Sequence, residues 1–209
     1  MSDATVLPLA RARVREAAAM LARSFDDDPL SLALFPGPRR RKVSLRSFMA
    51  ATMRDALRHG EVWAALDGSQ VVGIAAWLGE GAYPLTPPRV LRQAGAALVA
   101  LLTPQTLPLG TRLIAETQAA HPKEPHWYLA VLGVDPAHQG RGIGGVLLRP
   151  VLQRLDRQER PAYLETSKER NIAWYGRQGF ELTGTLEVRP GAPPIWTMWR
   201  APRAVPAPP

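Results

Sequence analysis

Gln139-Gly140-Arg141-Gly142-Ile143-Gly144 separates two apolar patterns of different period. Trp127 to Val134 before it is an apolar run of strand length, and from about Gly142 to Gln158 the apolar positions recur at helical spacing. Ala162 to Thr166 then reads as a second strand. A strand, tight turn, helix and strand in succession form a crossover unit, which needs a sheet with helices against its faces. The other segments are compatible with that demand.

Thr5 to Leu9 reads as a short strand, and Arg11 to Phe25 as an amphipathic helix with Val14, Ala18, Leu21 and Phe25 on one face. Asp28 before Pro29 is an N-cap followed by an N1 proline, opening a helix toward Leu34. Arg40 to Arg58 is the next helix, with Val43, Phe48, Met49 and Met53 expected inward. Glu61 to Leu66 and Gln70 to Leu78 form a hairpin around an Asp67-Gly68 turn. Residues 79–125 read as an insertion between the third and fourth strands, carrying helices over Val90 to Leu102 and Leu109 to Ala120. Asn171 to Arg177 is a short helix stopped by Gly179, and Phe180 to Val188 with Ile195 to Arg200 closes the sheet as an antiparallel pair. The reading is a mixed α/β sheet flanked by helices. Residues 1–200 make one domain, and a Pro/Ala-rich tail over 201–209 is expected to fray.

Composition narrows the chemistry. A chain of 209 residues with 46% apolar and 21% charged residues can bury a core of its own. Without cysteine it has no disulfide scaffold, thiolate zinc site or cysteine nucleophile. No His, Asp or Glu cluster has metal-ligand spacing, so no metal is expected. The N-terminal residues lack a secretory core, and the longest apolar run, Ala94 to Leu102, is far below the roughly 18 residues of a membrane span. A soluble cytoplasmic protein without membrane contact is the expectation. The +8 charge raises nucleic acid as a partner, but the basic residues are scattered apart from Arg39 to Lys42, and no aromatic stripe interleaves with them.

The glycine turn lies where an anion-binding turn belongs. Its glycines let backbone N–H groups converge on phosphate oxygens, the helix N-terminus adds partial positive charge, and Arg141 adds a full one. No Lys-Ser or Lys-Thr follows, so it is not a P-loop. The glycine spacing is not that of a dinucleotide fingerprint either.

Leu132 to Gly144 resembles the acetyl-CoA motif of the GNAT N-acetyltransferases, in which Gln or Arg, two residues, Gly, one residue, and Gly or Ala cradle the CoA pyrophosphate. Leu164 to Ser167 and Asn171 to Phe180 resemble that family's following strand, helix and Tyr-x-x-x-Gly-Phe ending. Pro122 to Leu129, taken with Leu164 to Ser167, is similar to the branch that contains puromycin N-acetyltransferase. The resemblance implies the GNAT fold, a central, mostly antiparallel twisted sheet with helices on both faces. It also implies an enzyme that moves an acetyl group from acetyl-CoA to the primary amine of a small molecule. A protein Lys or N-terminal amine is the second acceptor class, and a non-catalytic acetyl-CoA sensor or nucleic-acid-associated protein is the rival reading. A homodimer is compatible with all of these.

Carried over residue by residue, the resemblance assigns the backbone of Leu132 and Val134 to the pantetheine and acetyl groups, and Gln139, Gly140, Arg141, Gly142, Ile143 and Gly144 to the pyrophosphate. An amide-bearing chain can pair with an open strand edge as an extra strand would, and Gly133 would permit close approach, as a bulged strand without a ligand also would. Asn171 and Tyr175 are four apart on one helix face, Asn171 for the pantetheine and Tyr175 for the departing sulfur. Proton transfer from an unshifted Tyr to a thiolate is uphill by roughly 2 kcal/mol, so Tyr175 would act as much by hydrogen bonding as by donation. Glu165 is the first candidate for the base that takes the amine proton, the alternative being a structural carboxylate that fixes Asn171 or the following turn. His126 is the second candidate. Asp26, Asp27 and Asp28 are either a lure for a cationic acceptor or a loop with an N-cap, and Trp63 and Trp77 either line the acceptor pocket or belong to the core.

Overall fold

Strand β3, Gln70–Leu78, is buried from Val71 onward, because helices cover both faces of the sheet it centres. The computed structural model describes residues 4–92 and 107–204. The sheet has seven strands. The first three are β1 (Thr5–Pro8), β2 (Gly60–Asp67) and β3. β4 (Trp127–Val134), β5 (Ala162–Thr166), β6 (Glu181–Leu186) and β7 (Ile195–Arg200) follow, in the spatial order β1-β2-β3-β4-β5-β7-β6. All neighbours are antiparallel except β4 and β5. The mixed, mostly antiparallel sheet is the expected one.

One face is packed by α1 (Val14–Ser24) and α3 (Pro38–His59). Their contact is made close by small residues, Ala17, Ala18 and Ala22 on one side and Ala50 and Ala56 on the other, among Leu21, Leu45, Met49 and Met53. Met49 and Met53 are inward as expected. Val43 and Phe48 are not: they are 60% and 46% exposed. The stripe that faces the sheet runs through Leu45, Met49, Met53 and Ala56, and Val43 and Phe48 lie outside its helical phase. Asp28 caps α2 (Pro29–Leu34) as expected, its carboxylate accepting from the N–H groups of Leu30 and Ser31 at 3.0 and 3.1 Å. The hairpin turn sits one residue later than expected. Asp67 pairs with Gln70, so the loop is Gly68-Ser69, and Gly68 takes the left-handed φ of +56° that such loops require.

The opposite face is covered by α6 (Ile143–Arg157) and α7 (Arg170–Arg177), with Leu147, Leu148, Val151 and Leu155 of α6 fully buried. Between β3 and β4 the insertion carries α4 (Pro87–Arg92) and α5 (Leu107–Ala120). The expected helix over Val90 to Leu102 falls largely outside the described residues. Arg89 anchors α4 through a buried ion pair with Asp55 of α3 at 2.5 Å. Leu109 of α5 packs with Val188 and Ile195, which fastens the insertion beside β7. The tail is held over its first residues, the Arg203 N–H donating to Asp156 at 2.8 Å, while 205–209 lie outside the described residues. No described helix is long and apolar enough to cross a membrane.

Gly133 is small for a packing reason. A Cβ there would meet Leu21 at 2.6 Å, Ser24 at 3.0 Å and Phe25 at 3.1 Å, so α1 needs the space and a bound ligand does not explain it. Gly133→Ala is expected to cost about 2 kcal/mol through overpacking against the fully buried Leu21. Thermal denaturation would read this as a fall in Tm of roughly 4–8 °C; an unchanged Tm would contradict the packing account.

Candidate active site

The β4 and β5 strands part company halfway along. Their parallel ladder runs through Trp127↔Ala162, Tyr128↔Tyr163 and Leu129↔Leu164 and stops there. On its other side β4 pairs with β3 through a bulge, Ala76 opposite Val131 and Trp77 opposite Leu129, which leaves Ala130 as the extra residue. A bulge bends its strand and raises the local twist, and here it turns the end of β4 away from β5. The Asp135 N–H donates to the Val72 carbonyl at 2.8 Å. Antiparallel alternation therefore directs the N–H and C=O groups of Leu132 and Val134 away from β3, into the gap. Both expected residues present backbone groups to an open strand edge, although the Val134 carbonyl already accepts from the Gln139 side chain at 3.1 Å.

The glycine turn closes one end of that gap. Gly140 and Gly142 have φ of +77° and +79°, and a Cβ on either would meet nothing within 4 Å. Backbone conformation, not crowding, selects glycine at these two positions. Gly142 is the N-cap of α6 and no side chain caps the helix, so the N–H groups of Ile143 and Gly144 are available to an anion beside the exposed Arg141, while the Gly145 N–H donates to the Gly142 carbonyl at 3.1 Å. Gly144 is different: a Cβ there would press on Trp174 at 2.9 Å. It brings α7 against the start of α6.

On α7, Asn171 donates to the Thr166 hydroxyl at 3.0 Å and ties the helix to the end of β5. Tyr175 lies deeper, in edge-to-face contact with Trp174 and Phe180, their ring centroids 5.0 and 5.9 Å away. Burial pushes the Tyr175 hydroxyl well above its ordinary pKa.

Glu165 lies on the other side of β5. Its carboxylate accepts from the Tyr128 and Tyr163 hydroxyls, each at 3.1 Å, and not from Asn171. Burial raises its pKa to about 7 against the lowering effect of those two bonds. Tyr163 and Glu165 are two apart on one strand and share a face, and Tyr128 stands opposite Tyr163 in the ladder. Tyr83 and His121 of the insertion cover this cluster. The sequence reading missed Tyr83, His121, Tyr128 and Tyr163 as site residues. The two-residue spacing of Tyr163 and Glu165 on β5 was the available signal for Tyr163, but nothing local placed Tyr83.

Several candidates are otherwise employed. Both nitrogens of His126 are engaged, Nδ1 with the Glu124 carbonyl at 2.6 Å and Nε2 with His121 Nε2 at 3.0 Å, and burial holds its pKa down. Trp77 is fully buried, and it packs with Trp63 on the α6 face, away from Glu165. Asp26 pairs with Arg41 at 2.9 Å, Asp27 with Lys168 at 2.6 Å, and Asp28, besides capping α2, accepts from the Ser167 hydroxyl at 2.7 Å. Asp27 and Asp28 stitch the loop after α1 to the loop after β5, and Asp26 ties it to α3. Arg41 is buried in its ion pair, which breaks the Arg39 to Lys42 run as a basic surface.

Residues 31–180 match the acetyltransferase (GNAT) family. The whole chain is similar to a solved structure described as histone acetyltransferase HPA2 and related acetyltransferase from Corynebacterium glutamicum. That likeness is 25% identity over 99% of this chain and 100% of that one, with a TM-score of 0.69. A polyamine N-acetyltransferase of Drosophila melanogaster that forms N-acetylagmatine is 18% identical over 95% and 100% of the two chains, with a TM-score of 0.59. The arylalkylamine N-acetyltransferase 2 of Aedes aegypti is 14% identical over 97% and 100%, also with a TM-score of 0.59.

Proposed function

Because this chain belongs to the acetyltransferase (GNAT) family and is an acetyl-CoA-dependent N-acetyltransferase, we propose that its acceptor is the primary amine of a small molecule and that the amine attacks directly. The observation that carries the reading is the open edge of β4 running into an uncapped, glycine-built helix N-terminus. Such an edge suits an extended amide chain that ends in a pyrophosphate. When bound, acetyl-CoA supplies the activated acetyl thioester. Leu132 and Val134 would align its pantetheine through backbone groups, residues 139–144 would hold the pyrophosphate, and Asn171 would flank the arm.

In this reading Glu165 takes the proton from the acceptor nitrogen, and its raised pKa of about 7 suits a base working near neutrality. Tyr175 donates a hydrogen bond to the sulfur as it departs. With the Tyr175 pKa raised by burial, full proton transfer is more uphill than for a free Tyr, so the hydrogen bond is its contribution. Tyr175 packs on the α6 face of the sheet and Glu165 on the other, which in this reading separates the group that receives the proton from the group that steadies the leaving atom. The described part of the insertion would supply the acceptor wall, a reading supported by the contacts of Tyr83 and His121 with the Glu165 cluster. That cover favours a small acceptor over a protein tail. Membership of the puromycin N-acetyltransferase branch is part of the same proposal.

Tyr175→Phe is expected to lower kcat about tenfold and to leave the acetyl-CoA Kd unchanged, read by steady-state kinetics and calorimetry. Wild-type turnover would remove Tyr175 from the mechanism. The function itself is tested by acetyl-CoA calorimetry, followed by thiol release with puromycin, an aminoglycoside, a polyamine and a Lys peptide. Turnover confined to the peptide would overturn the small-molecule assignment.

A further inference from the structure

Five rings cluster on the face of the sheet that carries the Glu165 carboxylate, and the hydroxyls of two of them, Tyr128 and Tyr163, donate to it. Tyr83 comes from the loop after β3, His121 from the end of α5, His126 and Tyr128 from the start of β4, and Tyr163 from β5. The Tyr83 ring lies 4.3 Å from His121 and 5.2 Å from Tyr128 between centroids, and His121 lies 5.1 Å from Tyr128 and 4.9 Å from Tyr163. Tyr163 and His126 are buried, whereas Tyr83, His121, Tyr128 and Glu165 each keep part of their surface in solvent. A ligand therefore approaches from the Tyr83 side.

Burial holds both imidazoles of this cage neutral, and the hydrogen bonds then fix their tautomers. The Glu124 carbonyl can only accept, so His126 Nδ1 carries the proton and its Nε2 is a lone pair. His121 Nε2 must then be the donor of the bond between the two rings, which leaves His121 Nδ1 as a bare acceptor; it is buried and has no hydrogen-bond partner. Both imidazoles are neutral, and burial keeps them so, holding His121 at about 4. The walls thus offer ring faces and a bare lone pair around a single carboxylate. Among the cage residues there is no cation.

Neighbouring carboxylates do not extend this negative site. Asp26, Asp27 and Asp55 are ion-paired with Arg41, Lys168 and Arg89, and Glu80 is paired with Arg160 at 3.3 Å. A second cationic centre on an acceptor would meet neutral rings, carboxylates already engaged, Asp28 among them through the Leu30 and Ser31 N–H groups and the Ser167 hydroxyl, or the solvent-exposed Glu124. We propose that the cage is the acceptor's ammonium subsite and selects a primary amine that carries one positive charge and an aromatic or bulky apolar body, in preference to a polyamine. The ring faces attract the ammonium and stack on its apolar body, while Glu165 takes one of its N–H groups. This rests on the reading of Glu165 as the base.

The test compares 2-phenylethylamine with spermidine at saturating acetyl-CoA. The expected kcat/KM is about tenfold higher for 2-phenylethylamine. Tyr83→Leu should raise the KM for 2-phenylethylamine about tenfold with kcat and the acetyl-CoA Kd unchanged, and Tyr83→Phe, which keeps the ring, should restore the wild-type KM. Equal or better use of spermidine, or a KM unmoved in Tyr83→Leu, would overturn the cage while leaving the acetyltransferase reading intact. A wild-type protein that binds acetyl-CoA and turns over no amine would overturn both.

Discussion

Gly142→Glu is expected to abolish acetyl-CoA binding while the fold persists. Residue 142 has a φ of +79° with nothing within 4 Å of an added Cβ, so the side chain meets no clash and the local penalty is backbone strain of about 1–2 kcal/mol. The larger effect is electrostatic. A carboxylate at the N-cap of α6 would compete for the same first-turn N–H groups that the proposed pyrophosphate needs, and would repel it. Together these should raise the Kd in calorimetry by more than about 100-fold, close to 3 kcal/mol. Gly142→Ala carries the strain without the charge and should cost about tenfold. The contrast between the two separates conformation from charge. Wild-type affinity in Gly142→Glu would mean that the turn does not hold the phosphates.

Much of this frame was legible in the chain because its signals are local. Asp28 before Pro29 announced a cap, the turn residues at Asp67-Gly68 between two apolar runs announced a hairpin, and the glycine turn between strand and helix announced the crossover. The misplaced details share a cause, which is that the partner of a residue is set by packing. Val43 and Phe48 are apolar yet exposed, since the phase of α3 is set by the small and flexible residues that let α1 approach. Gly133 looked like room for a ligand, but the side chain that needs the room is Leu21, far away in sequence. The same holds at the site. Glu165 was visible as an unusual carboxylate on an apolar strand, but its partners Tyr128 and Tyr163 come together only through the register of β4 with β5. Tyr83 and His121 reach them from an insertion whose composition says only that it contains helices.

Glu165→Gln is expected to trade activity for stability, and the two effects should follow the same pH axis in opposite directions. A base works only as the carboxylate, so with a pKa of about 7 the wild-type kcat/KM should rise with pH and level off above neutrality. The glutamine variant should lack that acidic limb and run about 1,000-fold slower at pH 8. Stability moves the other way. Burial makes the folded state hold the Glu165 proton up to about pH 7, while the unfolded chain releases it near the ordinary value of 4.5. Between those values the folded state binds more protons, so stability falls as pH rises, and above pH 7 the full penalty of roughly 3 kcal/mol is present. Of the rings facing Glu165, Tyr83, Tyr128 and Tyr163 are pushed upward out of this window, whereas the depressed His121 and His126 add a rise of stability with pH that wild type and variant share, so the difference between the two proteins reports Glu165. A neutral glutamine escapes the penalty, and the variant should melt roughly 5–10 °C above wild type at pH 8, with the gap closing toward pH 4. An acidic limb that survives in the variant would assign the base elsewhere. Lost activity without the pH-dependent gain in Tm would mean that Glu165 is not desolvated in solution, removing the reason its pKa would suit the work.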